Sequence, residues 1–384
     1  MHPLEKKVRQ AVLEKRLITA GERVLVAVSA GPDSLALLYV LGALHGVSAM
    51  PAFSLAAAYI DHGLRPAESG RERALVAAAA RELGIPWRGG RVAAREYADR
   101  HGLSLEHAAR ELRYRQLREL ATELTATSLA VAHQADDQAE ELLLRLLRGT
   151  AREGLSGMAW SRLLVDAGSG SEEPGAGGGG GATGTFNGVD AAGAEPAALR
   201  PAGGGNGLRL IRPLLAVPKA EILSYLAERG IAHAEDSSNQ DRRFLRNRVR
   251  LELLPWLAER FNPNIRETLR RTATVLRDEE ELLGEQATAA YRQARKPGGD
   301  PVALDLVVFN AQPRALRRRL LEKALWELAV KPMTRQIEQL LQGAGKPGGG
   351  VIAHLAAGVT VRKQGQILLF ERGTPGPRRR PARR

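Results

Sequence analysis

Residues 23–38 read Arg-Val-Leu-Val-Ala-Val-Ser-Ala-Gly-Pro-Asp-Ser-Leu-Ala-Leu-Leu, and no other stretch restricts the fold as strongly. Val24, Val26 and Val28 supply β-branched residues at strand spacing, and Ser29–Ser34 form a tight loop of small residues. The run from Leu35 then predicts an amphipathic helix. Gly31 lets the backbone approach a ligand closely, and Asp33 and Ser34 open the helix with amides that have no carbonyl partner inside it. A loop leading into such a helix end binds anions, phosphates above all. A kinase-type phosphate loop needs Lys followed by Ser or Thr, and this loop has neither.

From Arg23 to about Met158, strand-like runs at Val24–Val28, Ser54–Ile60, Trp87–Val92 and Ser128–Ala132 alternate with helix-period segments. This rhythm predicts an α/β fold, a Rossmann-like doubly wound parallel sheet. Ligands of such sheets sit beyond the carboxyl ends of the strands, which is where Ser29, Asp61-His62-Gly63 and His133 fall. We expect a catalytic domain at 1–165 and 208–217, a flexible Gly/Ala-rich insertion at 166–207 and a helical middle domain at 218–297. A small α+β C-terminal domain at 298–372 and a basic tail at 373–384 complete the chain. The insertion holds too little apolar side chain to offset its ordering entropy. Its Gly175–Gly180 run matches a dinucleotide fingerprint only through low complexity, with no strand before it and no helix after it. Gly345-Lys346-Pro347 fails as a phosphate motif because Pro replaces the magnesium-holding hydroxyl.

Fifty-six Lys and Arg against 43 Asp and Glu leave a net charge of +13, which favours a polyanion such as nucleic acid as partner. No cysteine occurs, which excludes disulfides, thiolate nucleophiles, Cys-ligated zinc and iron–sulfur clusters. The histidines lack HExxH spacing. Met1–Ile18 is charged, unlike a signal peptide, and no apolar run has transmembrane length, so the chain reads as cytoplasmic with no membrane partner.

Three further segments carry chemistry. His133-Gln134-Ala135-Asp136-Asp137-Gln138-Ala139-Glu140-Glu141 begins where the fourth strand ends, and Asp137 and Glu140 share a helix face. Such carboxylates suit a cationic ligand or Mg²⁺, although acids in a first turn also complement the helix dipole. Arg110 and Arg113 likewise share a face, suited to a phosphate or to solvated Glu–Arg pairing. The capping-type run Glu235–Asn239 precedes a dense basic stretch, Arg242, Arg243, Arg246, Asn247, Arg248 and Arg250, that suits an RNA backbone.

Ser29-Ala30-Gly31-Pro32-Asp33-Ser34 resembles the SGGxDS loop of the PP-loop ATP pyrophosphatases, with Ala30 where Gly is usual. Asp61–Arg65, Glu106–Tyr114, His133–Glu140, Leu146–Thr150, Gly154–Met158, Arg212–Leu215 and Asp236–Arg250 extend the likeness. In that order they resemble the bacterial tRNA(Ile)-lysidine synthetases, with Glu141 where that family usually has Thr. The resemblance implies ligation of free L-lysine to C2 of the wobble cytidine of the CAU-anticodon isoleucine tRNA, with ATP as co-substrate and Mg²⁺ as cofactor. An adenylated cytidine is the intermediate, and AMP and pyrophosphate are released. It further implies that Ser29, Ala30, Gly31, Pro32, Asp33 and Ser34 hold pyrophosphate, with Asp33 on Mg²⁺. Arg110 and Arg113 would face the phosphate or the intermediate, Asp137 and Glu140 would hold lysine, and His133 is a candidate base. Asp61, His62 and Asp136 would line the site, the basic stretch would grip tRNA, and the family suggests a homodimer. An amide-forming PP-loop synthetase and a nonenzymatic RNA-binding protein remain the alternatives.

Overall fold

The computed structural model describes residues 1–64, 66–149, 155–164, 207–234, 242, 244–298 and 301–373. Arg65, Arg243, residues 235–239, the insertion up to 206 and the tail from 374 lie outside the described residues. The described residues up to Val275 form one compact unit and those from Leu276 another.

The first unit is built on six strands: β1 (Arg23–Ala27), β2 (Ser54–Asp61), β3 (Trp87–Arg91), β4 (Ser128–Ala130), β5 (Ser161–Leu164) and β6 (Leu208–Ile211). Their order is β3-β2-β1-β4-β6-β5, and every pairing is parallel except that of β5 with β6. This is the expected doubly wound sheet. Both faces are covered, so alternate residues of β1 are all apolar: Val24 and Val26 enter one core, Leu25 and Ala27 the other. The order reverses between β1 and β4, which opens a crevice at their carboxyl ends. Helices α1 (Pro3–Glu14), α2 (Pro32–Leu44), α3 (Pro66–Glu82), α4 (Ala94–His101), α5 (Leu105–Glu123) and α6 (Ala135–Leu147) connect these strands or precede them.

Helix α2 is not amphipathic as the sequence suggested. Leu35, Leu37, Leu38, Val40, Leu41 and Leu44 are all buried, because α1, α3 and the helix Lys219–Glu228 surround it on the side away from the sheet. That last helix, expected in a separate middle domain, places Ile222, Tyr225 and Leu226 in the same core as α2. Two strands had no sequence signal. β5 lies antiparallel to β6 at the edge of the sheet, with Leu164 opposite Leu208.

The second unit carries a four-stranded antiparallel sheet ordered β7 (Val302–Asp305), β10 (Ile367–Arg372), β9 (Val359–Gln364) and β8 (Gly350–His354). This sheet supplies the strands of the small α+β part that the sequence predicts near the end of the chain. The helices Arg314–Glu327 and Thr334–Gly345 bury Leu320, Leu325, Ile337 and Leu340 in one core with Leu304 and Phe370.

Candidate active site

The loop after β1 is closed by its own hydroxyls. Ser34 Oγ donates to the Gly31 carbonyl at 2.9 Å and accepts from the Ser29 amide at 3.1 Å. Ala30 takes the left-handed conformation, φ +62°, and is fully buried, with its carbonyl accepting from the Ala234 amide at 2.9 Å. A residue with a Cβ is strained there by about 1 kcal/mol or more. Gly31 is extended at φ −71°, a conformation open to any residue, so the demand for glycine-like freedom falls one position earlier than Gly31. Gly31 is the N-cap of α2 without a side-chain cap, and Pro32 brings no N–H, so the first turn presents its amides outward.

At the end of β4 the chain enters α6 through a capping box: the Asp136 amide donates to Gln134 Oε1, and the Gln134 amide donates to Asp137 Oδ2 at 2.9 Å. Asp137 therefore serves both readings of this segment. Its other oxygen, Oδ1, accepts from Arg246 at 3.0 Å and from Arg250 at 3.2 Å, while Glu140 accepts from the same two guanidiniums at 3.0 and 2.5 Å. Glu140 is wholly buried, and the arginines are about 30% exposed. Two groups expected apart, lysine-binding carboxylates and RNA-binding arginines, thus form one network. Burial pulls both arginines' pKa values down, but Asp137 and Glu140 outweigh it and hold them above the ordinary value. Arg242 and Arg248 point the other way, exposed beside Glu252. Glu141 pairs with Arg145 on its own helix at 2.6 Å, and its charge also helps hold Arg246 above its ordinary value. Gln138 ties α6 to Met158 through reciprocal bonds of 3.1 and 2.8 Å.

Opposite the carboxylates lies a cationic group. His133 Nδ1 accepts from Arg212 Nε at 3.1 Å, and Arg212 donates to the Ala159 carbonyl at 2.7 Å. A guanidinium only donates, so the His133 proton sits on Nε2. Burial first, then Arg212, Arg246, Arg110 and Arg113, push the ring's pKa well below its usual value, so it is neutral at physiological pH. Because the unfolded ring protonates first as pH falls, His133 costs stability below about pH 6.5. In His133→Gln the melting temperature should fall less steeply than in the parent between pH 7 and pH 5; equal slopes would refute this placement. Burial raises the Tyr114 phenol, yet Arg110, Arg113, Arg212 and Arg162 overcome it and bring it below its ordinary value. Arg110 stacks 5.4 Å over the Tyr114 ring. Arg113 makes no hydrogen bond or ion pair among the described residues; burial lowers its pKa, Tyr114 opposes this, and Arg110 adds to it. A cavity of about 210 Å³ is bounded by Ser29, Gly31, Ile60, His62, Glu72 and Arg113, joining the loop after β1 to Arg113.

Asp33 connects both halves. Burial raises its pKa more than its partner Lys219 lowers it, and the nearby Asp137 and Arg250 act on it in opposite directions. Lys219 donates to Asp33 Oδ1 at 2.6 Å and carries no motif in the sequence. Of the other expected residues, Asp61 accepts from the Gly63 amide at 2.8 Å and from Ser69 at 3.2 Å, holding its turn, and Asp136 lies in the first turn of α6. Among the described residues no group of three or more His, Asp or Glu converges on a metal position, and no helix is long and apolar enough to cross a membrane.

Residues 2–257 match the family model described as a PP-loop domain. A tRNA(Ile)-lysidine synthase of Dehalococcoides mccartyi is 34% identical over 90% of this chain and 66% of its own length. One of Symbiobacterium thermophilum is 34% identical over 97% of this chain and 70% of its own length. The chain thus spans about two thirds of the length of these curated relatives. A solved U34-tRNA thiolase of Methanococcus maripaludis shares the fold, with a TM-score of 0.50 at 16% identity over 72% of this chain and 78% of that one. A phosphate loop at a sheet switch point, matched along most of the chain by these relatives, makes this chain a member of the PP-loop family of tRNA(Ile)-lysidine synthases.

Proposed function

We propose that this chain attaches free lysine to C2 of the wobble cytidine of a CAU-anticodon isoleucine tRNA, using ATP. The observation that carries the reading is the meeting of three groups beyond the carboxyl ends of β1 and β4. They are an uncapped phosphate loop, the buried Arg113 guanidinium at the cavity beside it, and a buried carboxylate pair. The cytidine C2 oxygen attacks the α-phosphorus of ATP and pyrophosphate leaves. The lysine ε-amine then attacks C2, and AMP departs with the oxygen. Loop amides stabilise the charge growing on pyrophosphate, and Arg110 and Arg113 stabilise that on the α-phosphoryl group.

His133 is better suited to donate from Nε2 than to act as the base first expected, because its lone pair is engaged by Arg212. Asp137 and Glu140 hold the lysine ammonium once a guanidinium yields its place, and they are the nearest acceptors for its proton. The freed arginine is then available to an RNA phosphate. Mg²⁺ fits Asp33: the ion favours one or two carboxylates completed by phosphate oxygens and water, and a lone carboxylate is what the loop offers. When bound, it neutralises charge on the leaving phosphates.

The decisive test supplies protein, ATP, Mg²⁺, labelled lysine and the CAU-anticodon tRNA. Lysine should become RNA-bound, and ATP–pyrophosphate exchange should require tRNA. Exchange supported instead by a small carboxylic acid would point to an amide-forming synthetase. Asp33→Asn should lower exchange by about 10²-fold or more. Its raised pKa means that the ionised carboxyl destabilises the fold, a cost absent in acid and incurred as pH rises through the folded value. The variant should therefore melt no lower than the parent at pH 7, as calorimetry can check.

A further inference from the structure

We infer that Lys219 is a further catalytic residue of this reaction, one that leaves Asp33 to hold the departing pyrophosphate; the inference rests on the reading of Ser29–Ser34 as the pyrophosphate loop. Phosphate loops of the kinase type carry their lysine within the loop, and this one has none. The fold brings one from far along the chain: Lys219 Nζ lies 2.6 Å from Asp33 Oδ1, at the first turn of α2.

The placement is electrostatically costly without an anion. Lys219 is the first residue of the helix Lys219–Glu228, so its charge sits near the positive end of its own helix and that of α2. Helix N-termini favour anions and disfavour cations by about 0.3–1 kcal/mol each. The acid in its own first turn, Glu221, is bonded to Lys7 at 2.7 Å, which leaves Asp33 as the ion-pair partner of Lys219. Nor does the lysine drift there on a loose segment. The Ala135 amide donates to the Val217 carbonyl at 3.0 Å, and Ile222, Tyr225 and Leu226 fix the helix in the α2 core. A rigidly mounted cation between two positive helix ends, at the mouth of an anion loop, is placed for a polyanion. Were Mg²⁺ held by Asp33, the Lys219 ammonium would be free to meet the negative charge of the leaving diphosphate. Both side chains are about one-third exposed, so the exchange needs no backbone movement.

Binding of magnesium pyrophosphate and of AMP to the full chain, measured by titration calorimetry, tests this without turnover. Lys219→Met should weaken pyrophosphate binding by about tenfold or more, while Lys219→Arg keeps most of it, as expected for a charge-assisted contact. AMP affinity should stay within about twofold in both variants. The inference is overturned if Lys219→Met binds pyrophosphate like the parent, if both ligands weaken together, or if Lys219→Arg fails as completely as Lys219→Met. A parent protein that binds no pyrophosphate would sink the reading of the loop, and this inference with it; parent binding that survives Lys219→Met sinks the inference alone.

Discussion

Glu140→Ala should lower the melting temperature of the first unit by about 10 °C and abolish lysine transfer, while tRNA-dependent ATP–pyrophosphate exchange persists. Glu140 is wholly buried and accepts from two guanidiniums, so its removal strands positive charge beside Asp137 alone. Removing one partner of a buried ion pair costs about 3–5 kcal/mol; the arginines' partial exposure lets water compensate, and about 3 kcal/mol is the expected loss. At roughly 2–4 °C per kcal/mol for a unit of this size, the shift is large but leaves the protein folded at room temperature. Adding Arg250→Met should restore part of the stability, because one uncompensated charge goes, but none of the lysine transfer. Calorimetry of the two variants separates the effects. Loss of exchange in step with lysine transfer would mean that Glu140 serves the phosphate half of the site, and its assignment to lysine would fall.

How far the sequence revealed this site depends on whether a residue's role is local. Ser29–Ser34 was legible because a loop of small residues between a β-branched strand and an apolar run has few other uses, and the βα alternation after it implied the sheet. Asp137 with Glu140 was legible as a pair on one helix face, and Arg246 and Arg250 as members of a dense basic stretch. Their mutual engagement was not, because it joins α6 to a helix more than a hundred residues later, one that widens into a π turn at Val249–Leu253 around Arg250. Lys219 left no trace, since a single lysine opening a helix looks like solubility. The apolar character of α2 was understated because periodicity reports how apolar residues are spread round a helix, not how many sides are covered. β5 and β7, at four residues each, are too short for alternation to register.

Arg113→Met should slow tRNA-dependent ATP–pyrophosphate exchange by about 10²–10³-fold while leaving the melting temperature unchanged or higher. In sequence, Arg110 and Arg113 fit a solvated helix with Glu–Arg pairs equally well. The structure separates neighbours on that helix: Arg115 takes Glu111 at 3.2 Å, whereas Arg113 lines the cavity with no acidic partner among the described residues. Burial disfavours its charged form, so in the unliganded protein the guanidinium costs stability that a methionine of similar reach does not. A residue that weakens the fold while facing a phosphate loop is retained for what it does to a ligand, and the ligand it matches is the negative charge spreading over the α-phosphoryl group. The two measurements must diverge for the argument to hold. A variant that loses stability in proportion to exchange would show Arg113 to be a structural member of α5, and the cavity beside it would no longer mark where the nucleotide reacts.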